Sequence, residues 1–155
     1  MSGFVINNFI HLLTAVIWIG GMIYTNIVFM PSLSVIEPSQ RGAMLGAVAK
    51  RFTIVSWTSM LVLLVSGFFK TPEEMLFTTS NSYGLMITIK HIMFLAMIVF
   101  GALITFKFAP VLRKGAPRPG EKPSAEFLDA QKKLKILSTT NMILGIGVLL
   151  AVSLY

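Results

Sequence analysis

At 155 residues, 55% hydrophobic and 12% charged, with a mean hydropathy of +0.79, the chain is too oily and too poor in charge for a soluble domain of its size. Its net charge of +7 does not mark a nucleic-acid binder, because the basic residues are sorted between apolar runs and form no continuous face. With no cysteine there is no disulfide, iron–sulfur cluster or thiolate ligand, so any metal is held by nitrogen, oxygen or thioether.

Apolar windows of about twenty residues predict four transmembrane helices, at 4–30, 45–69, 83–108 and 134–155, in a single integral membrane domain covering 1–155. The first run has no Lys or Arg before it and no cleavage site, so it reads as a retained helix ending at Pro31. Helix two is expected to start with Ser39 as N-cap, to pass Lys50-Arg51 at headgroup level and to end near Phe69. At mid-depth it carries Ser56, Trp57, Thr58 and Ser59, whose hydroxyls read as interhelical or backbone hydrogen-bonders. Thr71-Pro72-Glu73-Glu74 resembles a helix start, and a polar loop, Thr78 to Ser82, follows it. Span three carries Lys90-His91. Beyond it, Pro110 and the prolines of 114–123 predict a basic loop with no continuous helix. Helix four starts near Ser124, outside the membrane, and its Gly145-x-Gly147 permits close approach of a neighbour.

Arg41, Lys50 and Arg51 flank the first connection, and Lys107, Arg113, Lys114, Arg118, Lys122, Lys132, Lys133 and Lys135 flank the third. The opposite side has only Lys70 and Lys90. Because positive residues stay cytoplasmic, the expected architecture is an all-α, four-helix transmembrane bundle, N-out/C-out, with helices two and four extended into the cytoplasm. The expected setting is a bacterial inner (cytoplasmic) membrane.

The two histidines of the chain, His11 and His91, both fall inside apolar runs. An imidazole in hydrocarbon needs a partner or a metal. His11 lies about seven residues into span one and His91 about eight into span three, roughly 10–12 Å from the same end at 1.5 Å per residue. Two imidazoles at one level on parallel helices predict a clamp for one metal centre, the iron of a b-type haem. On span one, His11, Trp18 and Met22 share a stripe flanked by Thr14 and Ala15, where Ala15 leaves room beside the ligand and Trp18 packs beneath a porphyrin edge. Lys90, Asn7 and Asn8 are expected to meet a haem propionate or a carboxylated ligand. The alternatives are a copper site, for which imidazole and thioether are both suited, and a metal-free scaffold in which the histidines bond to hydroxyls such as Ser66 or Thr88.

His11-x6-Trp18-x-Gly-Gly21, the following Tyr24, Lys50-Arg51-Phe52, Gly67 and the lysine of helix three together resemble the copper-resistance protein D-like (CopD-like) membrane family and its relative, the HemJ-type protoporphyrinogen oxidase. The resemblance implies a four-helix membrane fold with a haem-binding histidine in helix one, His11, and an important basic residue in helix three, Lys90. HemJ-type helices three place a histidine before the lysine, whereas here His91 follows Lys90. The functional expectation is a cytochrome b-like electron-transfer protein, with a quinone or another redox protein as partner and the ligands supplied by one chain or across a homodimer. A copper transport or resistance protein and a HemJ-like oxidase are the alternatives.

Overall fold

The computed structural model describes residues 2–71, 81–117 and 121–153. Four helices long and apolar enough to cross a membrane dominate it: Gly3–Val35, Gln40–Phe68, Ser82–Lys114 and Ala125–Ser153. No strand occurs among the described residues. In detail, span one is α1 (Gly3–Ile23), a π-helical segment (Tyr24–Phe29), α2 (Met30–Ser32) and a 3₁₀ turn (Leu33–Val35). Span two is α3 (Pro38–Phe68), and span three is α4 (Ser82–Ala102), a second π-helical segment (Leu103–Phe108) and α5 (Ala109–Lys114). Span four is α6 (Ala125–Ser153). The expected extension of helices two and four beyond their apolar windows is present.

Three boundaries differ from expectation. Span one does not stop at Pro31, and span three continues through Pro110 to Lys114. Each proline lies two residues after a π-helical segment. A pyrrolidine ring has no N–H and clashes with the carbonyl four residues back; a widened π turn just before it accommodates that clash without breaking the helix. Helix two starts at Pro38, with Glu37 at the cap position, two residues earlier than the expected Ser39 cap. Proline fits this first position, where its missing N–H costs nothing. Of the expected helix start Thr71–Glu74, only Thr71 is described, its hydroxyl donating to the Gly67 carbonyl at 3.1 Å; the rest and most of the loop to Ser82 lie outside the described residues. At its far side, Asn81 caps α4 by accepting a 2.7 Å bond from the Gly84 N–H, and Ser124 accepts likewise from Phe127 at 3.2 Å to open α6.

Span one packs chiefly on span two, span three on span four, and span four also against span one. The centre is filled by Trp18, Ile19, Met22, Met60, Leu63 and Met97, all buried. Glycines admit these bulky groups. A Cβ at Gly21 would lie 2.6 Å from the Phe52 ring, one at Gly101 2.7 Å from Met60 Cε, and one at Gly147 2.7 Å from Met93 Cε. Spans one and three meet across the middle through an edge-on contact of Trp18 and Phe94, with ring centroids 6.0 Å apart.

Toward the basic connections the packing turns polar. Asn26, in the first π segment, donates to the Met22 carbonyl and accepts from the hydroxyls of Ser138 (3.1 Å) and Thr139 (3.4 Å) on span four. Trp57 Nε1 donates to Thr105 Oγ1, in the second π segment, at 3.3 Å. Polar ties between membrane helices are individually modest, so Asn26→Leu is expected to lower stability by about 1 kcal/mol, read as a reduced unfolding temperature in detergent.

Candidate metal-ligand site

His11 sits half-buried on α1, facing α3. Its Nδ1 lies 2.7 Å from Ser66 Oγ. The Ser66 hydroxyl has one proton, and that proton is committed to the Val62 carbonyl, 2.6 Å away in the preceding turn. Ser66 Oγ is therefore the acceptor, and His11 Nδ1 carries the hydrogen. Nε2 is left with its lone pair, the tautomer that ligates a metal through Nε2 while the opposite nitrogen is anchored by a second group.

The surroundings hold the ring in place. A Cβ at Gly67 would touch His11 Cε1 at 3.5 Å, so the glycine leaves one edge of the imidazole uncovered. One turn outward, Asn7 Nδ2 donates to the Ser66 carbonyl at 3.1 Å, fixing the same stretch of span two. Lys70 Nζ donates to Asn8 Oδ1 at 2.6 Å. The ammonium groups of Lys70 and Lys90 both lie within electrostatic range of the His11 ring. Among the described residues, the acidic side chains Glu37, Glu121, Glu126 and Asp129 all belong to the opposite, basic end of the bundle. Among the described residues, the end holding His11 carries Lys70 and Lys90 and the donors of Asn7 and Asn8.

Span three brings Lys90 and His91 to this end from the other side of the bundle. Lys90 and His91 precede Phe94, which touches Trp18, by one turn; His11 precedes Trp18 by two. Relative to the π segments, His11 and Lys90 hold equivalent places, each thirteen residues before the first π residue, with His91 one residue on. Both His91 and Lys90 are half-buried, and the Nδ1 atom of His91 is buried. Trp18 is 2% exposed and closes the floor. Ala15 packs against the central cluster, and Thr14 is half-buried beside it. No group of three or more His, Cys, Asp or Glu side chains with metal-site geometry occurs among the described residues. A metal held here would have to draw on imidazole nitrogen, with lysine as a neighbouring charge.

Lys70, which the sequence marks only as a guide to topology, is tied to Asn8 beside His11. Ser66 is one of the hydroxyls that the metal-free reading expects as a histidine partner, and its bond to His11 is present. The signal for Lys70 lay in its place at the end of span two, opposite the start of span one.

The family described as Copper resistance protein D matches residues 46–155, which is more than half of the chain. The chain belongs to this family. No curated protein and no solved structure matches it. Membership together with four membrane-crossing helices makes this CopD-family chain an integral membrane protein. The matched stretch takes in Lys50-Arg51, Ser66, Gly67, Lys70, Lys90 and His91, while His11 lies before it.

Proposed function

We propose that this CopD-family chain is a haem-binding membrane protein with an electron-transfer role, in which His11 Nε2 is an axial ligand of a b-type haem and His91 supplies the second. The observation that supports it is the His11–Ser66 bond, because a hydroxyl whose proton is already committed leaves Nε2 free to ligate. A b-type haem, when bound, supplies a one-electron couple whose potential follows axial ligands, hydrogen bonding and burial. The chain's own groups would do the rest. Ser66 fixes the imidazole, Lys70, Lys90, Asn7 and Asn8 meet the propionates, and Trp18 with Phe94 excludes water from below. Two imidazole ligands, His11 and His91, would favour electron transfer over chemistry at the metal.

Lys70 and Lys90, both within electrostatic range of the His11 ring, would attract the carboxylates of such a ligand. A groove of about 360 Å³ lined by Gly3, Phe4, Asn7 and Phe69 opens at the same end. Its aromatic walls suit the edge of a planar ring, and a quinol would deliver electrons there. The setting that fits is a bacterial cytoplasmic membrane with this end outward.

Copper handling is the second reading, supported by the family description, which names copper resistance. Metal content separates the two. Purified protein is expected to hold iron at one equivalent with little copper; copper without iron would favour the second reading. Porphyrinogen oxidation, implied by the HemJ-type resemblance, is tested by complementing a strain that lacks its own oxidase.

Ser66→Ala is expected to weaken haem binding by 10- to 100-fold while leaving the fold intact, because it removes the group that orients the ligand and sets its tautomer. Haem titration of the purified variant reads the change.

A further inference from the structure

The two halves of the chain match each other element by element. Spans one and three, Gly3–Val35 and Ser82–Lys114, are each 33 residues long, and spans two and four, Gln40–Phe68 and Ala125–Ser153, are each 29. Along the odd spans every landmark recurs seventy-nine residues on: the helix start (Gly3, Ser82), the π-helical segment (Tyr24–Phe29, Leu103–Phe108) and the proline after it (Pro31, Pro110). Burial follows the same register. Trp18 and Met97, the two largest fully buried side chains, are counterparts, and exposed Val16 (65%) corresponds to exposed Leu95 (62%). Spans two and four are offset by eighty-five residues, which pairs Met60 with Gly145, both buried.

Contacts between the halves repeat in the same register. The methyl of Met22, on span one, lies 3.1 Å from the Cβ position of Gly145 on span four, and the methyl of Met60, on span two, lies 2.7 Å from that of Gly101 on span three. Met22 corresponds to Gly101 and Met60 to Gly145, so both knobs come from the first half and both holes from the second. Likewise Asn26 accepts from Ser138 and Thr139 of span four, and its counterpart Thr105 accepts from Trp57 of span two. An operation that carries a one-to-four contact onto a three-to-two contact closes after two steps, as a twofold axis does; with spans one and three parallel, that axis lies along the membrane normal.

The two seams between the halves are unequal. Spans one and four approach closely along their backbones, whereas no comparable backbone approach joins spans two and three among the described residues. There the halves are held by long side chains: Met60 in the Gly101 notch, Trp57 Nε1 on Thr105 Oγ1 at 3.3 Å, and Trp57 against Phe106 with ring centroids 5.7 Å apart. Flexible methionine and a single hydroxyl bond yield before closely packed backbones do.

We propose that the protein is an internal duplication of a two-helix hairpin, 3–68 and 82–153, whose halves turn as rigid bodies about the seam of spans one and four and so open a lateral gate to the bilayer between spans two and three. The repeat does not extend to the imidazole–hydroxyl pair, since Lys90 and Ala151 stand where His11 and Ser66 would recur. Neither the duplication nor the gate rests on the haem reading.

The test uses the full chain, which has no native cysteine, in lipid nanodiscs with paired spin labels. Val16→Cys/Ile146→Cys spans the seam of helices one and four, and Leu61→Cys/Leu95→Cys is its twofold counterpart; all four positions are exposed. Pulsed electron–electron double resonance is expected to give both pairs the same shortest-distance peak to within a few ångströms, with a second, longer population only for Leu61/Leu95. Trp57→Phe, which removes the bond to Thr105, is expected to enlarge that population at least twofold. Shortest peaks that differ by more than a helix diameter, about 10 Å, would overturn the duplication. A single narrow distribution at both pairs, or a longer population at Val16/Ile146 instead, would overturn the gate.

Discussion

His11→Ala is expected to purify as a folded, colourless protein. The substitution removes an imidazole whose free nitrogen is set by a neighbouring hydroxyl, and it leaves the Ser66–Val62 bond in place. Nothing in the central cluster depends on it, because Trp18, Ile19 and Met22 carry the packing of span one two turns deeper. Helical circular dichroism should therefore match the unaltered chain, while the Soret band is lost. His11→Gly with added imidazole should recover part of the band, since the vacated space admits the free ligand. His91→Ala gives a different outcome if it is the second ligand: the haem stays but shifts to a five-coordinate spectrum. Lys70→Ala and Lys90→Ala are each expected to lower haem affinity through the loss of carboxylate attraction. A Soret band of full height in His11→Ala would remove His11 from the site.

Gly145→Leu is the substitution with the largest expected cost to stability. A single Cβ there already meets Met22 Cε at 3.1 Å and Ile19 Cγ1 and Met97 Cε at 3.3 Å. Leucine adds three more carbons into space already filled by side chains of spans one and three. Over-packing of a filled core costs roughly 1–3 kcal/mol, and here the crowding falls between three helices at once, so about 3 kcal/mol is expected. Gly20→Leu serves as the control, because nothing lies within 4 Å of its Cβ position and the residue is exposed on the bundle surface. Its effect should stay within about 0.5 kcal/mol. Thermal unfolding in detergent compares the pair, and equal effects at both positions would show that the Gly145 notch is not the tight point of the bundle.

The membrane fold was legible because the bilayer imposes its own length scale. Runs of twenty or more apolar residues around His11, Trp57, His91 and Asn141 have no soluble solution, and the placement of Lys50-Arg51 and Lys132-Lys133 marked where they leave the hydrocarbon. The helix ends were less legible, for a physical reason. Pro31 and Pro110 are breakers by their covalent chemistry, yet a preceding π turn absorbs each of them, and no residue pattern in Tyr24–Phe29 or Leu103–Phe108 announces it. For the site, the histidines stood out because polar groups in apolar runs are rare. Which hydroxyl His11 would meet was open, since Ser66 and Thr88 were equally available by type. The tautomer follows only from two distances, one from His11 to Ser66 and one from Ser66 to Val62. Likewise, the convergence of Met22, Met60 and Met97 joins residues on three helices and leaves no periodic trace in any one of them.

The most direct measurement is the reduced-minus-oxidised absorption spectrum of the purified, full-length protein, with its haem quantified as the pyridine complex. A sharp low-spin b-type spectrum at one haem per chain is the predicted result. Protein that takes up no haem when haemin is supplied in excess, and shows no Soret absorption, would contradict the account and leave His11 as a hydrogen-bonding residue of a membrane bundle.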